Sequence, residues 1–167
     1  ISKRKDLSKK MSLRMKTITI LWFLCVFSAL SAQEGRYISV ELLGSGGVGS
    51  VNYERTFLSK PRLDLAWRMG FSFAPVDRNN GTALVFPLMM HGLIGPENHK
   101  LDLGIGQSVS ITTRGRAFVL MPSSVGYRYQ PSVKRYYLRI AYTPIVSYLL
   151  DFQVQHWGGI TYGYQLR

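Results

Sequence analysis

The chain has 167 residues with 21 basic against 9 acidic side chains, one cysteine, 46% hydrophobic residues and 13% aromatic residues. That profile fits one domain of ordinary size and excludes a disordered tail, a disulfide scaffold and a multidomain enzyme. The net charge of +12 points to a nucleic-acid binder only until it is divided by position: residues 1–32 hold seven Lys/Arg and one Asp, and the remaining charges are scattered singly without a basic stripe, so no nucleic-acid partner is expected.

Residues 1–14 precede the best start, Met15, and read as an upstream extension outside the folded domain. Residues 15–32 follow the order of a secretory signal: Lys16, an apolar run from Ile18 to Leu30 broken only by Thr19 and Ser28, then the small residues Ala29, Ser31 and Ala32. The run is too short for a membrane helix, which takes ~20 apolar residues. Cleavage is expected after Ser31 or Ala32. Cys25 follows Leu24 inside the apolar run, so it is not placed for lipid attachment, and the mature domain, residues 33–167, would hold no cysteine.

Past residue 33 the period is two. Ile38, Val40 and Leu42 alternate with polar neighbours, as do Val51, Tyr53 and Phe57. From Leu63 the odd positions read Leu63, Leu65, Trp67, Met69, Phe71, Phe73, while Asp64, Ala66, Arg68, Gly70 and Ser72 lie between them. Ala83 to Ile94 and Phe118 to Tyr129 are partly apolar on both faces and contain Pro87 and Pro122. Alternation returns at Leu101, Leu103, Ile105, Val109 and Ile111, with Gln107 the polar intruder, then at Tyr136, Leu138, Ile140, Tyr142, and at Ile160, Tyr162, Tyr164, Leu166. Turn signals of about 5 to 8 residues separate these segments at 44–50, 58–62, 75–82, 95–100, 112–117, 130–135 and 147–151. Eight strands with no helical period predict an all-β, eight-stranded antiparallel up-and-down barrel.

Which face points outward decides the function. The polar face is largely Gly, Ala, Ser and Thr, and the only mature lysines, Lys60, Lys100 and Lys134, fall in expected turns. The other face carries bulk that an eight-stranded interior, just filled by side chains, has no room for. It is therefore assigned to lipid, with Leu65, Trp67, Phe71, Leu103, Leu138, Ile140 and Tyr162 as contact residues and Leu65 and Leu103 taken at mid-depth. With the mature N-terminus in the periplasm, Tyr37, Tyr53, Phe57, Tyr127, Tyr129, Tyr136, Tyr137, Tyr162 and Tyr164 fall toward one water interface. Phe73, Phe118, Tyr148, Phe152 and Trp157 fall toward the other.

The leader ending Ser-Ala-Gln, the segment Glu41 to Arg55, Phe86-Pro87-Leu88, and Leu93-Ile94-Gly95 running into Leu101 to Gly106 resemble small outer-membrane β-barrel proteins of Bacteroidota. The resemblance spans nearly the whole mature chain and implies an eight-stranded transmembrane barrel in the outer membrane of a Gram-negative bacterium. It also implies folding by the barrel assembly machinery. Such barrels often end on an aromatic residue, whereas this chain ends Leu166-Arg167.

Inward positions collect Glu41, Glu54, Asp64 and Asp102 against Arg68, Arg128 and Arg139, charges that need partners in a low-dielectric lumen. They form either a structural ion-pair plug or a narrow ion path, and the width of an eight-stranded barrel favours the plug. Gly44 to Ser50 is glycine-rich but precedes a strand, so it is a hairpin and not a phosphate loop. His91, His99 and His156 lack metal spacing, and no cofactor is expected. A lipid-modifying enzyme would pair His156 with Ser147 or Ser110. Such an enzyme, and a soluble periplasmic barrel holding a small apolar ligand, stand as alternatives to a structural or interaction role with lipid as the partner.

Overall fold

The computed structural model describes residues 35–77, 81–147 and 153–167; the expected extension and signal peptide lie outside them. Eight strands run in chain order: β1 (Arg36–Leu42), β2 (Gly49–Lys60), β3 (Leu63–Asp77), β4 (Gly81–Ile94), β5 (His99–Thr112), β6 (Ala117–Tyr129), β7 (Tyr136–Ser147) and β8 (Gln153–Gln165). Each pairs antiparallel with the next, and β1 closes on β8 from Tyr37↔Gln165 to Leu42↔Ile160, so the sheet is a closed all-β barrel without an edge. Alternation sets the two faces: Ile38, Val40 and Leu42 are exposed while Ser39 and Glu41 are buried, and the same inversion holds along the other strands.

The strands are longer and the connections shorter than the turn signals predict. β2 reaches Lys60, leaving only Pro61 and Arg62 to turn the chain, and β3 passes through Pro75 to Asp77. A bulge lies between Thr56 and Leu58, which face the adjacent residues Ala66 and Leu65. Phe57 is the extra residue, and beyond it the outward register of β2 moves from odd to even positions.

Pro87, Pro122 and Pro144 stand inside β4, β6 and β7, where a closed sheet offers no edge to receive them. The barrel accommodates them by omitting pairs without slipping register. The β3–β4 ladder passes from Met69↔Leu88 to Ser72↔Val85, β5–β6 from Ile105↔Ser123 to Ser108↔Leu120, and β6–β7 from Pro122↔Ile145 to Val125↔Tyr142. A missing N–H removes a ladder bond, but the side-chain alternation on either side still holds the register.

Candidate functional site in the barrel interior

Small residues opposite large ones make the interior fillable. Tyr137 is paired with Gly163, and a Cβ on that glycine would lie 2.1 Å from the tyrosine ring. Into this space the strands send one connected set of ions. Arg128 Nη1 donates to Glu54 Oε1 at 2.6 Å, Glu54 Oε2 lies 3.5 Å from Arg68 Nε, and Arg68 Nη1 lies 3.6 Å from Glu41 Oε1. Glu41 Oε1 accepts from Arg139 Nη1 at 3.0 Å, Arg139 Nε lies 2.9 Å from Asp102 Oδ2, and Asp102 Oδ1 lies 2.6 Å from His91 Nδ1. Thr161 on β8 donates its hydroxyl to Glu41 at 3.3 Å. All eight strands therefore meet in one network, and its three carboxylates match its three guanidinium groups.

Burial explains why matching matters. Glu41, Glu54, Arg68, His91, Asp102, Arg128 and Arg139 are each no more than 1% exposed. An unpaired ion at such a site costs several kcal/mol. Arg128 also lies 3.5 Å from the centre of the Tyr137 ring, and Tyr37 packs edge-on against Tyr137 at 5.5 Å, capping the network toward the end where β1 begins and β8 ends.

Of the seven charged residues expected inside, six join this network. Asp64 stands apart near the two-residue turn, accepting from Ser59 Oγ at 2.5 Å and from Lys100 Nζ. Lys100 is thus a strand residue with a buried partner and not a turn lysine, and Lys60 is the last residue of β2; only Lys134 lies in a turn. Sequence reasoning missed His91, because β4 is apolar on both faces. Its inward row of Ala83, Val85, Met89, His91 and Leu93 cannot be told from its outward row by hydropathy. It also placed Tyr37 and Tyr137 in an interfacial belt, yet both point inward and are buried. Their odd positions, in register with Glu41 and Arg139, were the available signal.

The opposite face of each strand points out of the barrel. Phe71, Leu103, Leu138, Ile140 and Tyr162 are exposed, and Leu65 and Trp67 are half-buried by neighbours on the same face. Leu65 pairs with Leu58 two residues from the turn, so it sits near the rim and not at mid-depth; Ile105 lies deeper than Leu103. Near the end where β1 begins and β8 ends, outward aromatic rings cluster: Tyr53 with Trp67 at 5.5 Å, His99 with Tyr129 at 5.3 Å, and Tyr136 with Tyr162 at 6.1 Å. At the loop end the expected belt is thinner. Phe118 and Trp157 line the mouth from within, Phe73 stays outside, and Tyr148 and Phe152 lie outside the described residues.

His156 lines the loop-end cavity together with Ser110 and Ser147, but among the described residues no hydrogen bond joins it to either serine. Its Nδ1 is hydrogen-bonded to the hydroxyl of outward Tyr142, with ring centroids 5.9 Å apart, whereas Ser110 is buried on the inward face. Among the described residues no three His, Cys, Asp or Glu side chains are grouped to hold a metal ion.

An apolar exterior around a polar, charge-matched interior defines an eight-stranded antiparallel barrel of the type found in small outer-membrane proteins. A bilayer-nanodisc structure of Ail from Yersinia pestis is similar to it, with 11% identity, a TM-score of 0.52, and 80% of this chain and 100% of that chain covered. The N-terminal β-barrel domain of OprF from Pseudomonas aeruginosa aligns over 79% of this chain and 100% of its own at 10% identity and a TM-score of 0.49. Ail bound to the heparin analogue sucrose octasulfate aligns over 80% and 100% at 13% identity and a TM-score of 0.45. No protein-family model and no curated protein matches the sequence.

Proposed function

We propose that this chain is exported through a cleaved signal peptide, residues 15–32, and that residues 33–167 cross the outer membrane of a Gram-negative bacterium as a small barrel with a sealed interior. Its role is structural or interactive, with membrane lipid as its permanent partner and the barrel assembly machinery as a transient one, and it is not an enzyme. The observation that carries this is the division of faces. Exposed Leu, Ile, Val, Phe and Tyr surround the wall, and paired ions fill the centre. A water-soluble barrel would place those faces the other way round, since exposed apolar belts of this extent drive association in water. The resemblance of Glu41 to Arg55 and Leu101 to Gly106 to barrels of Bacteroidota supports membership of that group. Interaction with other molecules would use the short connections, so it would be weak or multivalent.

Membrane fractionation tests the location: the protein partitions into the outer membrane and migrates differently on SDS gels before and after boiling. Recovery as a soluble periplasmic protein refutes it. In planar bilayers the protein produces no stable conductance steps; steady ion conduction would refute the seal.

A further inference from the structure

We infer that the end of the barrel where β1 begins and β8 ends carries a site for the headgroup phosphate of an anionic phospholipid. The inference rests on the membrane reading above and names the class of lipid held there. Charge is divided unequally between the two ends. Inside, Arg68, Arg128 and Arg139 match Glu41, Glu54 and Asp102, and Lys100 matches Asp64. Of the ten basic side chains that remain in residues 33–167, seven belong to this end: Lys60 and Arg62 at the β2–β3 turn, Lys134 and Arg135 at the β6–β7 turn, Arg36 and Arg55 on β1 and β2, and Arg167 after β8. Against these seven stand Glu97 and, by its place in the sequence, Glu34. The other end has Arg78, Arg114 and Arg116 by sequence, against Asp77 and Asp151. The side-chain balance is therefore +5 at one end and +1 at the other, and residues 1–32, themselves +6, cannot reverse it.

Backbone bonds gather most of the surplus at one corner. Gln165 N donates to Arg135 O at 2.6 Å and Leu166 N donates to Arg36 O at 2.7 Å, so Arg135 and Arg36 clasp consecutive residues at the end of β8, and Arg167 is the next in the chain. Arg55 is the cross-strand partner of Arg36. Lys134 Nζ lies 5.6 Å from the centre of the Tyr136 ring, and Tyr136 is the cross-strand partner of Tyr164. Lys134, Arg135, Arg36 and Arg167 are exposed and Arg55 is half-buried. Glu34, two positions before Arg36 in the sequence, offsets at most one of these five charges.

The height of the corner states the occupant. Outward Tyr136 and Tyr162 stack directly beside it, and Arg55 is the cross-strand partner of Trp67, whose ring meets that of Tyr53. Such rings settle at the level of the lipid headgroups. Exposed Ile38 and Leu138 follow Arg36 and Tyr136 by two positions each, so the apolar wall begins immediately inside the cations. Guanidinium and ammonium groups held at that level meet phosphate oxygens, to which they make strong charge-assisted hydrogen bonds. A zwitterionic headgroup brings its own ammonium to a surface already rich in cations, whereas an anionic one brings only the charge that is missing. The site therefore takes a phospholipid with net negative charge, its phosphate among Lys134, Arg135 and Arg167 and its acyl chains against the outward rings.

The test uses processed protein purified from membranes with a single tryptophan reporter at the corner, Tyr136→Trp combined with Trp67→Phe and Trp157→Phe, its folding verified by the heat-dependent gel shift. It is placed in phosphatidylcholine nanodiscs that contain either brominated phosphatidylcholine or brominated phosphatidylglycerol, and quenching of the reporter is measured. Absence of quenching by both lipids refutes the membrane reading and the site with it, whereas equal quenching by the two refutes the site alone. Phosphatidylglycerol is expected to bind beside the reporter at least about fivefold more strongly than phosphatidylcholine, the worth of roughly one cation near an anionic lipid surface. Lys134→Gln, Arg135→Gln and Arg167→Gln together bring the two lipids to within about twofold of each other, while Arg114→Gln with Arg116→Gln at the other end leaves the preference unchanged. Inorganic phosphate in molar excess over lipid also leaves it unchanged. A preference that survives the triple replacement, that is lost with the pair at the other end, or that free phosphate removes would overturn the proposal.

Discussion

Arg139 stands between two carboxylates in the interior, and replacing it with Met tests whether the lumen is dry. Met keeps most of the length of the side chain and removes the charge. In the native barrel the guanidinium bonds Glu41 at 3.0 Å and Ser124 Oγ at 2.9 Å, and its Nε lies 2.9 Å from Asp102. After Arg139→Met, Asp102 retains only His91 among the described residues, and Glu41 retains Arg68 at 3.6 Å with the hydroxyls of Ser45, Ser50 and Thr161. One carboxylate charge is left unmatched at a site no more than 1% exposed, and removing one member of a buried pair costs about 3–5 kcal/mol. At 1.4 kcal/mol per decade, the unfolded population rises by roughly two to three and a half powers of ten. Urea titration of the folded barrel in lipid reads this as a fall in midpoint of at least about 1 M, given slopes of ~1–3 kcal/mol per molar for small proteins.

The double variant Arg139→Met with Asp102→Asn removes the stranded charge as well. It is expected to be more stable than the sum of the two single changes by about 0.5–3 kcal/mol. Suppose instead that Arg139→Met costs less than about 1 kcal/mol and that the two substitutions are additive. The interior ions would then be hydrated, and the sealed lumen would be wrong.

Depth on the outer face gives a second test: Ile105→Arg is expected to destabilise the membrane-inserted barrel by about 2–4 kcal/mol, and Leu65→Arg, near the rim, by ~0–1 kcal/mol, both measured by the same titration. Equal costs would show that the membrane boundary is misplaced. Gly163→Ala would press a methyl into the ring of Tyr137, at 2.1 Å for the ideal position, and should cost about 1–3 kcal/mol while quenching or shifting the Tyr137 aromatic resonances. A neutral Gly163→Ala would mean that Tyr137 does not fill the space opposite β8. Lys100→Met should cost less than Arg139→Met, because Lys100 and Asp64 are 12% and 11% exposed and water replaces part of the lost pairing. A cost as large as that of Arg139→Met would place this pair in the dry interior.

The number of strands, their order and the facing of most side chains were legible in the linear chain, because a two-residue period states at each position which of two faces is occupied. Leu63 to Phe73 and Leu101 to Ile111 carry that signal cleanly, and turn residues divide the strands. It fades where both faces are apolar, as in β4, and where one inserted residue inverts the period, as at Phe57. Strand ends were less legible, since antiparallel partners extend one another past a turn signal, as Leu63 does for Lys60.

Only closure of the barrel decided who meets whom. Arg128 and Glu54 are 74 residues apart, and Arg139 and Glu41 are 98 apart, yet they bond because stagger and tilt bring residues from different strands to one level of a narrow lumen. Alternation states that a side chain points inward but carries no information about height along the barrel axis. For the same reason His91, Tyr37 and Tyr137 joined the interior only in three dimensions, while the cavity under the mouth arose where small inward residues of several strands happen to share a level.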